Sequence, residues 1–126
     1  MNDLDGILIT NNPAVHEKYN EKMEIIFLKD ADLMSVLHYA RDRIHEGHKL
    51  LTHPLSGSVK PNQTPYKSIV VSKEKRALDM ESLKLMEDSL AIARTGMGDR
   101  PTPDWTDEVR KDFQLIDLGL ISSGLD

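Results

Sequence analysis

Apolar residues along this chain fall into a few short blocks with two different periods. Gly6-Ile7-Leu8-Ile9-Thr10, Glu24-Ile25-Ile26-Phe27-Leu28 and Lys67-Ser68-Ile69-Val70-Val71-Ser72 are compact, nearly continuous apolar runs. Runs of this kind read as strands buried on both faces, and the last is rich in β-branched residues. Lys49-Leu50-Leu51-Thr52 is a shorter candidate of the same type. Between these runs the period changes to that of a helix. Asn12-Pro13 is a strong start signal, since asparagine caps a helix and proline suits its first position; a short helix to Tyr19 follows. Asp30 reads as a second cap, ahead of Leu33, Val36, Leu37, Ala40 and Ile44 at helical spacing, with Gly47 as the stop. Asp79 opens a helix striped by Leu83, Met86, Leu90 and Ala93 and ending near Gly96. A last helix, opened by Asp104 or Thr106, carries Val109, Phe113, Ile116 and Leu120 on one face, with Asp107 and Glu108 at its positive end.

Alternating strands and helices predict an α/β fold: a small three-layer, Rossmann-like sandwich with a mainly parallel sheet of about four strands and flanking helices. A three-strand parallel sheet with an antiparallel edge is the runner-up, because the connection from Thr52 to Lys67 has no helix of its own. The length, 126 residues, fits a single domain spanning 1–126. Such a sheet leaves edges that need cover, so the last helix either supplies it or pairs with a second copy as a homodimer.

The connection from Thr52 to Lys67 is the least regular part of the chain and holds three of its six prolines, Pro54, Pro61 and Pro65. So long a connection inside a small domain points to a functional loop. In parallel sheets ligands sit beyond the carboxyl ends of the strands, where Thr10-Asn11-Asn12 and Thr52-His53 would both emerge. Asn11, Asn12, His53, Ser56, Gly57, Ser58, Lys60, Asn62 and Tyr66 are therefore the candidate ligand-binding set. The Ser56-Gly57-Ser58 turn offers hydroxyls and open backbone to a small anionic ligand, and Lys60 and Lys67 offer charge. The plainer reading is that Asn12 only caps a helix and Ser-Gly only turns. His53, at a strand end, is the best-placed general acid or base and the one candidate for catalysis. Its spacing to any serine or acid carries no triad signature.

Other constellations add less. His38, Asp42 and His45 share a helix face, but that face is opposite the apolar stripe and reads as solvated, so no metal is expected. His45 and His48 suit the negative end of a helix dipole. No P-loop or dinucleotide fingerprint occurs, and no cofactor is expected. Trp105, stiffened by Pro101 and Pro103 and preceded by Arg100, reads as a packing anchor first and an interface residue second.

Composition narrows the classes. With 39% hydrophobic and 29% charged residues the chain is that of a soluble globular protein. A net charge of −5 argues against nucleic acid. There is no cysteine, hence no disulfide and no thiolate chemistry. No apolar run approaches a membrane span, and Met1-Asn2-Asp3-Leu4-Asp5 lacks the basic start and apolar core of a secretory signal, as expected of a cytoplasmic protein.

Three segments together carry a family resemblance: Ile-Leu-Ile-Thr-Asn-Asn-Pro at 7–13, the run from Gly47 to Ser68 with its His-Pro-Leu-Ser-Gly-Ser-Val-Lys-Pro-Asn-Gln-Thr-Pro-Tyr core, and Arg-Pro-Thr-Pro-Asp-Trp at 100–105 with Asp-Phe-Gln-Leu-Ile-Asp at 112–117. In that order the chain resembles the GrdX family, small proteins encoded beside the glycine, sarcosine and betaine reductase genes of amino-acid-fermenting anaerobes. The resemblance implies a bacterial cytoplasmic protein, accessory to the reductase or to its regulation, with subunits of that complex as partners. It brings no catalytic residues to carry over. Reductase chemistry runs on selenocysteine and cysteine, and a chain without either is not expected to be a redox subunit. The leading expectation is a non-enzymatic accessory protein binding a small anion or a partner through its polar edge. The alternative is a small enzyme using His53, with the Ser/Lys loop holding the anion.

Overall fold

The computed structural model describes residues 5–55, 64–97 and 104–125. Within them the chain runs β1 (Ile7–Thr10), α1 (Pro13–Tyr19), β2 (Glu24–Phe27), α2 (Leu33–His45), β3 (Ser68–Val71), α3 (Met80–Met97) and α4 (Asp107–Leu125). The strand order is β2-β1-β3. β1 and β2 are parallel, pairing Ile7 with Glu24 and Thr10 with Phe27. β1 and β3 are antiparallel, pairing Ile7 with Val71 and Thr10 with Ser68.

The central strand explains the layering. Successive side chains of a strand point to opposite faces. Ile7 and Ile9, with Ile69 and Val71 beside them, meet Val36, Leu37, Ala40 and Ile44 of α2 and Met86, Leu90 and Ala93 of α3. Leu8 and Val70 point the other way, onto Val15 and Tyr19 of α1 and Ile121 of α4. Helices thus cover both faces. Each fully buried aliphatic side chain contributes about 1.5–3 kcal/mol, so this interleaving is the main source of stability.

The expected sheet of about four mainly parallel strands is corrected to a three-stranded mixed sheet. Lys49–Thr52 forms no full strand. Leu50 makes an isolated antiparallel bridge to Val71. Side-chain oxygens break the ladder on both sides: Leu50 N–H donates to Ser82 Oγ (2.9 Å) and Val70 N–H to Thr52 Oγ1 (3.0 Å). β3 lies beside β1 in the opposite direction, so the Rossmann-like parallel arrangement does not form.

Helix starts follow local chemistry. Asn12 Oδ1 accepts from Ala14 N–H (3.0 Å), and Pro13 opens α1 as expected. The cap of α2 is Asp32, whose Oδ1 accepts from Ser35 N–H (2.8 Å). Asp30, the expected cap, instead takes φ 64° in the turn after β2, a conformation aspartate tolerates. Gly47 ends α2 with φ 110°, and a Cβ there would collide with the Arg76 carbonyl. Gly47→Ala is therefore expected to cost about 2 kcal/mol or more, combining backbone strain with the clash. Urea unfolding checks this; a midpoint equal to wild type would contradict it.

The last helix is turned relative to its expected face. Ile116 is 45% exposed, and Val109 and Leu120 are also exposed, whereas Asp117 (6%) and Ile121 (5%) face inward. Trp105 is half-buried and packs edge-on against Phe113 at 5.4 Å, bracing the start of its own helix. Among the described residues no helix is long and apolar enough to cross a membrane.

Candidate functional site

A knot of buried polar groups lies where β1 ends, β3 begins and α4 crosses them. At its centre is the Asp117 carboxylate. Asn12 Nδ2 (3.0 Å) and Ser68 Oγ (2.7 Å) both donate to its Oδ2. Thr10 Oγ1 lies 2.7 Å from Ser68 Oγ and accepts from Asn12 N–H at 2.9 Å. With the Ser68 proton on Asp117, the Thr10 proton must point to Ser68. The order Asn12 N–H, Thr10 O–H, Ser68 O–H, Asp117 is then a chain of donors aimed at one oxygen, and such chains reinforce themselves. The second Asn12 Nδ2 hydrogen reaches Gln114 O (2.9 Å), and Gln114 Nε2 donates to the Tyr66 hydroxyl (2.9 Å). These bonds fasten α4 to the sheet edge.

Asn11 does the same for the entering loops. Its Nδ2 donates to Ala31 O and Pro65 O, each at 2.8 Å, and its Oδ1 accepts from Lys67 N–H at 2.9 Å. One side chain thus fixes the backbone on either side of Lys67.

Lys67 is the unusual member. It is 9% exposed, a level lysine rarely reaches without a partner. Among the described residues it makes no ion-pair contact, although Asp117 is the charge that acts on it. Both residues line a cavity of about 260 Å³ with Thr52, His53, Ser68 and Ile121. Burial pulls the Lys67 ammonium below the usual lysine range, with Asp117 opposing it. Burial lifts the Asp117 carboxyl above the usual carboxylate range, against the hydrogen bonds from Asn12 and Ser68 and the charge of Lys67.

The Asp117 shift has a consequence for stability. A carboxyl with a raised folded value keeps its proton when the unfolded chain has lost its own. Stability therefore falls as pH rises from the ordinary carboxylate value, about 4, towards the folded one. Asp117→Asn keeps an oxygen acceptor and has no proton to lose. Its stability relative to wild type is expected to rise between pH 4 and neutrality, measured as paired urea midpoints. A pH-independent difference would contradict the shift.

The structure divides the sequence candidates. Asn11 and Asn12 stand behind the cavity with both amide donors engaged inside the protein. Tyr66 is half-exposed and tied to α4. His53 is exposed at the cavity rim; its Nδ1 accepts from Leu55 N–H (3.0 Å), which places the proton of the neutral ring on Nε2. Among the described residues no carboxylate is hydrogen-bonded to that ring. Ser56, Gly57, Ser58, Lys60 and Asn62 lie outside the described residues. His38 is half-buried while Asp42 and His45 are exposed, and no group of metal-binding side chains assembles among the described residues. His48 is buried, with Nδ1 2.6 Å from Ser72 O.

Sequence reasoning missed Asp117, Ser68 and Gln114, placed Thr10 at the strand end without a role, and counted Lys67 only as a source of charge. One signal was available. Phe113, Asp117, Ile121 and Leu125 recur every four residues, and a carboxylate set in an apolar stripe calls for a buried partner.

The segments that build this knot, from the Asn-Asn-Pro turn through the Lys67 segment to the α4 carboxylate, all lie within the stretch of chain that matches a known family. The model of the GrdX-like protein family matches residues 7–126. The chain belongs to the GrdX-like family. That match takes in every member of the polar knot, so the site is built wholly from the GrdX-like region. A search of curated proteins found no match, nor did a search of solved structures.

Proposed function

We infer that this GrdX-like protein is a binding protein, not an enzyme, and that it holds a small anionic ligand at Lys67. One observation carries the reading. A lysine nine-tenths buried lines a cavity with no acceptor in ion-pair contact among the described residues. Burying a cation in this way is unfavourable unless something completes it, and a carboxylate or phosphate does so with a charge-assisted hydrogen bond. The rigid frame of Asn11, Asn12 and Asp117 supports the reading, since preorganised groups bind with less ordering cost. Thr52 and His53 add polar lining, while Ile121 supplies an apolar wall.

The resemblance supplies the setting: a cytoplasmic accessory or regulatory protein of glycine and betaine reductase, whose bound and free forms are distinguished by a reductase subunit. The cavity rim beside His53 is the surface where ligand occupancy would be read.

The test is an NMR titration of the labelled protein with acetate and with inorganic phosphate. Amide shifts centred on Thr52, His53, Ser68 and Ile121, lost in Lys67→Met, are expected. Shifts elsewhere, or shifts surviving in the variant, would overturn the reading.

A further inference from the structure

The geometry points to a zwitterion as the occupant: a small molecule with a carboxylate and a cationic amine on a short aliphatic frame. This deepens the anion reading and rests on it. Lys67 and Asp117 line the same cavity, yet among the described residues they make no ion-pair contact with each other. Neither charge is therefore neutralised by direct contact with the other. The two side-chain donors that hold Asp117, Asn12 and Ser68, both arrive at Oδ2. Neither side chain reaches Oδ1, and the Ser68 backbone also bonds this carboxylate.

Charge balance separates the ligand classes. A monoanion at Lys67 also brings its negative charge towards Asp117, and in a cavity of low dielectric that repulsion is weakly screened. A monocation at Asp117 meets Lys67 in the same way. A molecule with both charges meets an opposite charge at each end and adds no net charge to a buried place. Leu120 and Ile121 line the wall and suit the aliphatic frame. At about 260 Å³ the cavity is at the small end of ligand sites, which favours few heavy atoms.

Isothermal titration separates the possibilities. The probes are alanine, β-alanine and 4-aminobutyrate as zwitterions of growing span, with propionate, butyrate and propylamine carrying one charge each. The proteins are wild type, Lys67→Met and Asp117→Asn, with circular dichroism confirming that each is folded. At least one zwitterion is expected to bind wild type tenfold or more tightly than its matching carboxylate. Asp117→Asn should erase that preference while leaving carboxylate binding in place, and Lys67→Met should remove both. Equal binding of carboxylate and zwitterion to wild type would overturn the zwitterion and leave the anion reading standing. So would a preference that survives in Asp117→Asn. Binding of none of these probes would overturn the zwitterion, and failure of acetate and phosphate as well would bring down the anion reading with it.

Discussion

Replacing Asp117 with alanine is expected to destabilise the protein by about 3 kcal/mol or more, one of the largest effects of any single polar substitution in the chain. The carboxylate is the acceptor on which the polar knot converges. Without it one hydroxyl hydrogen of the Thr10–Ser68 pair and one Asn12 amide hydrogen are left buried with no acceptor, each costing about 1–3 kcal/mol. Lys67 loses the charge that offsets its burial. Asp117→Asn keeps an acceptor in the same place and should retain most of the stability at neutral pH. Thermal unfolding separates the two. At this chain length 1 kcal/mol corresponds to roughly 3–6 °C in Tm, so the alanine variant should melt some 10 °C or more below the asparagine variant. Equal melting would mean that the knot is not what fastens α4 to the sheet.

Lys67→Met is expected to act in the opposite sense. It should abolish anion binding, by tenfold or more, while leaving stability unchanged or raised by about 1 kcal/mol. The Lys67 ammonium is held below its usual range because burial outweighs the attraction of Asp117, so the charged form opposes folding on balance. Methionine fills a similar volume without that burden. A residue that lowers stability where it stands is the usual mark of a functional site. Denaturant midpoints at neutral pH check this; a loss of several kcal/mol would assign Lys67 to the framework instead.

Much of the fold was legible because local and global preferences agree. Ile7-Leu8-Ile9 is apolar on both faces, and the central strand of a layered sheet needs just that. Asn12-Pro13 and Gly47 act through local capping and backbone conformation, so their roles transfer directly from sequence to structure. The direction of β3 was legible only as the runner-up, from the lack of a helix between Thr52 and Lys67. It depends on Leu50 pairing with Val71 and on hydroxyls of Thr52 and Ser82 replacing ladder acceptors, all contacts between distant residues. The face of α4 was misread for a related reason. Counting apolar residues favours Val109, Ile116 and Leu120, but Asp117 faces inward because Asn12 and Ser68 wait for it. The site was half legible: its edge was located through Thr10, Asn12 and Thr52, while Lys67 was read as a strand flank and Asp117 lay off the face chosen for the last helix.

The most direct test is the melting temperature of wild type and Lys67→Met across a panel of small carboxylates, phosphates and amino acids at constant ionic strength. A ligand at 100 times its dissociation constant stabilises by about 2.7 kcal/mol, well within detection. The account predicts a rise of several degrees in wild type for at least one anionic or zwitterionic compound, and none for that compound in Lys67→Met. No rise with any compound, or the same rise in both proteins, would contradict it.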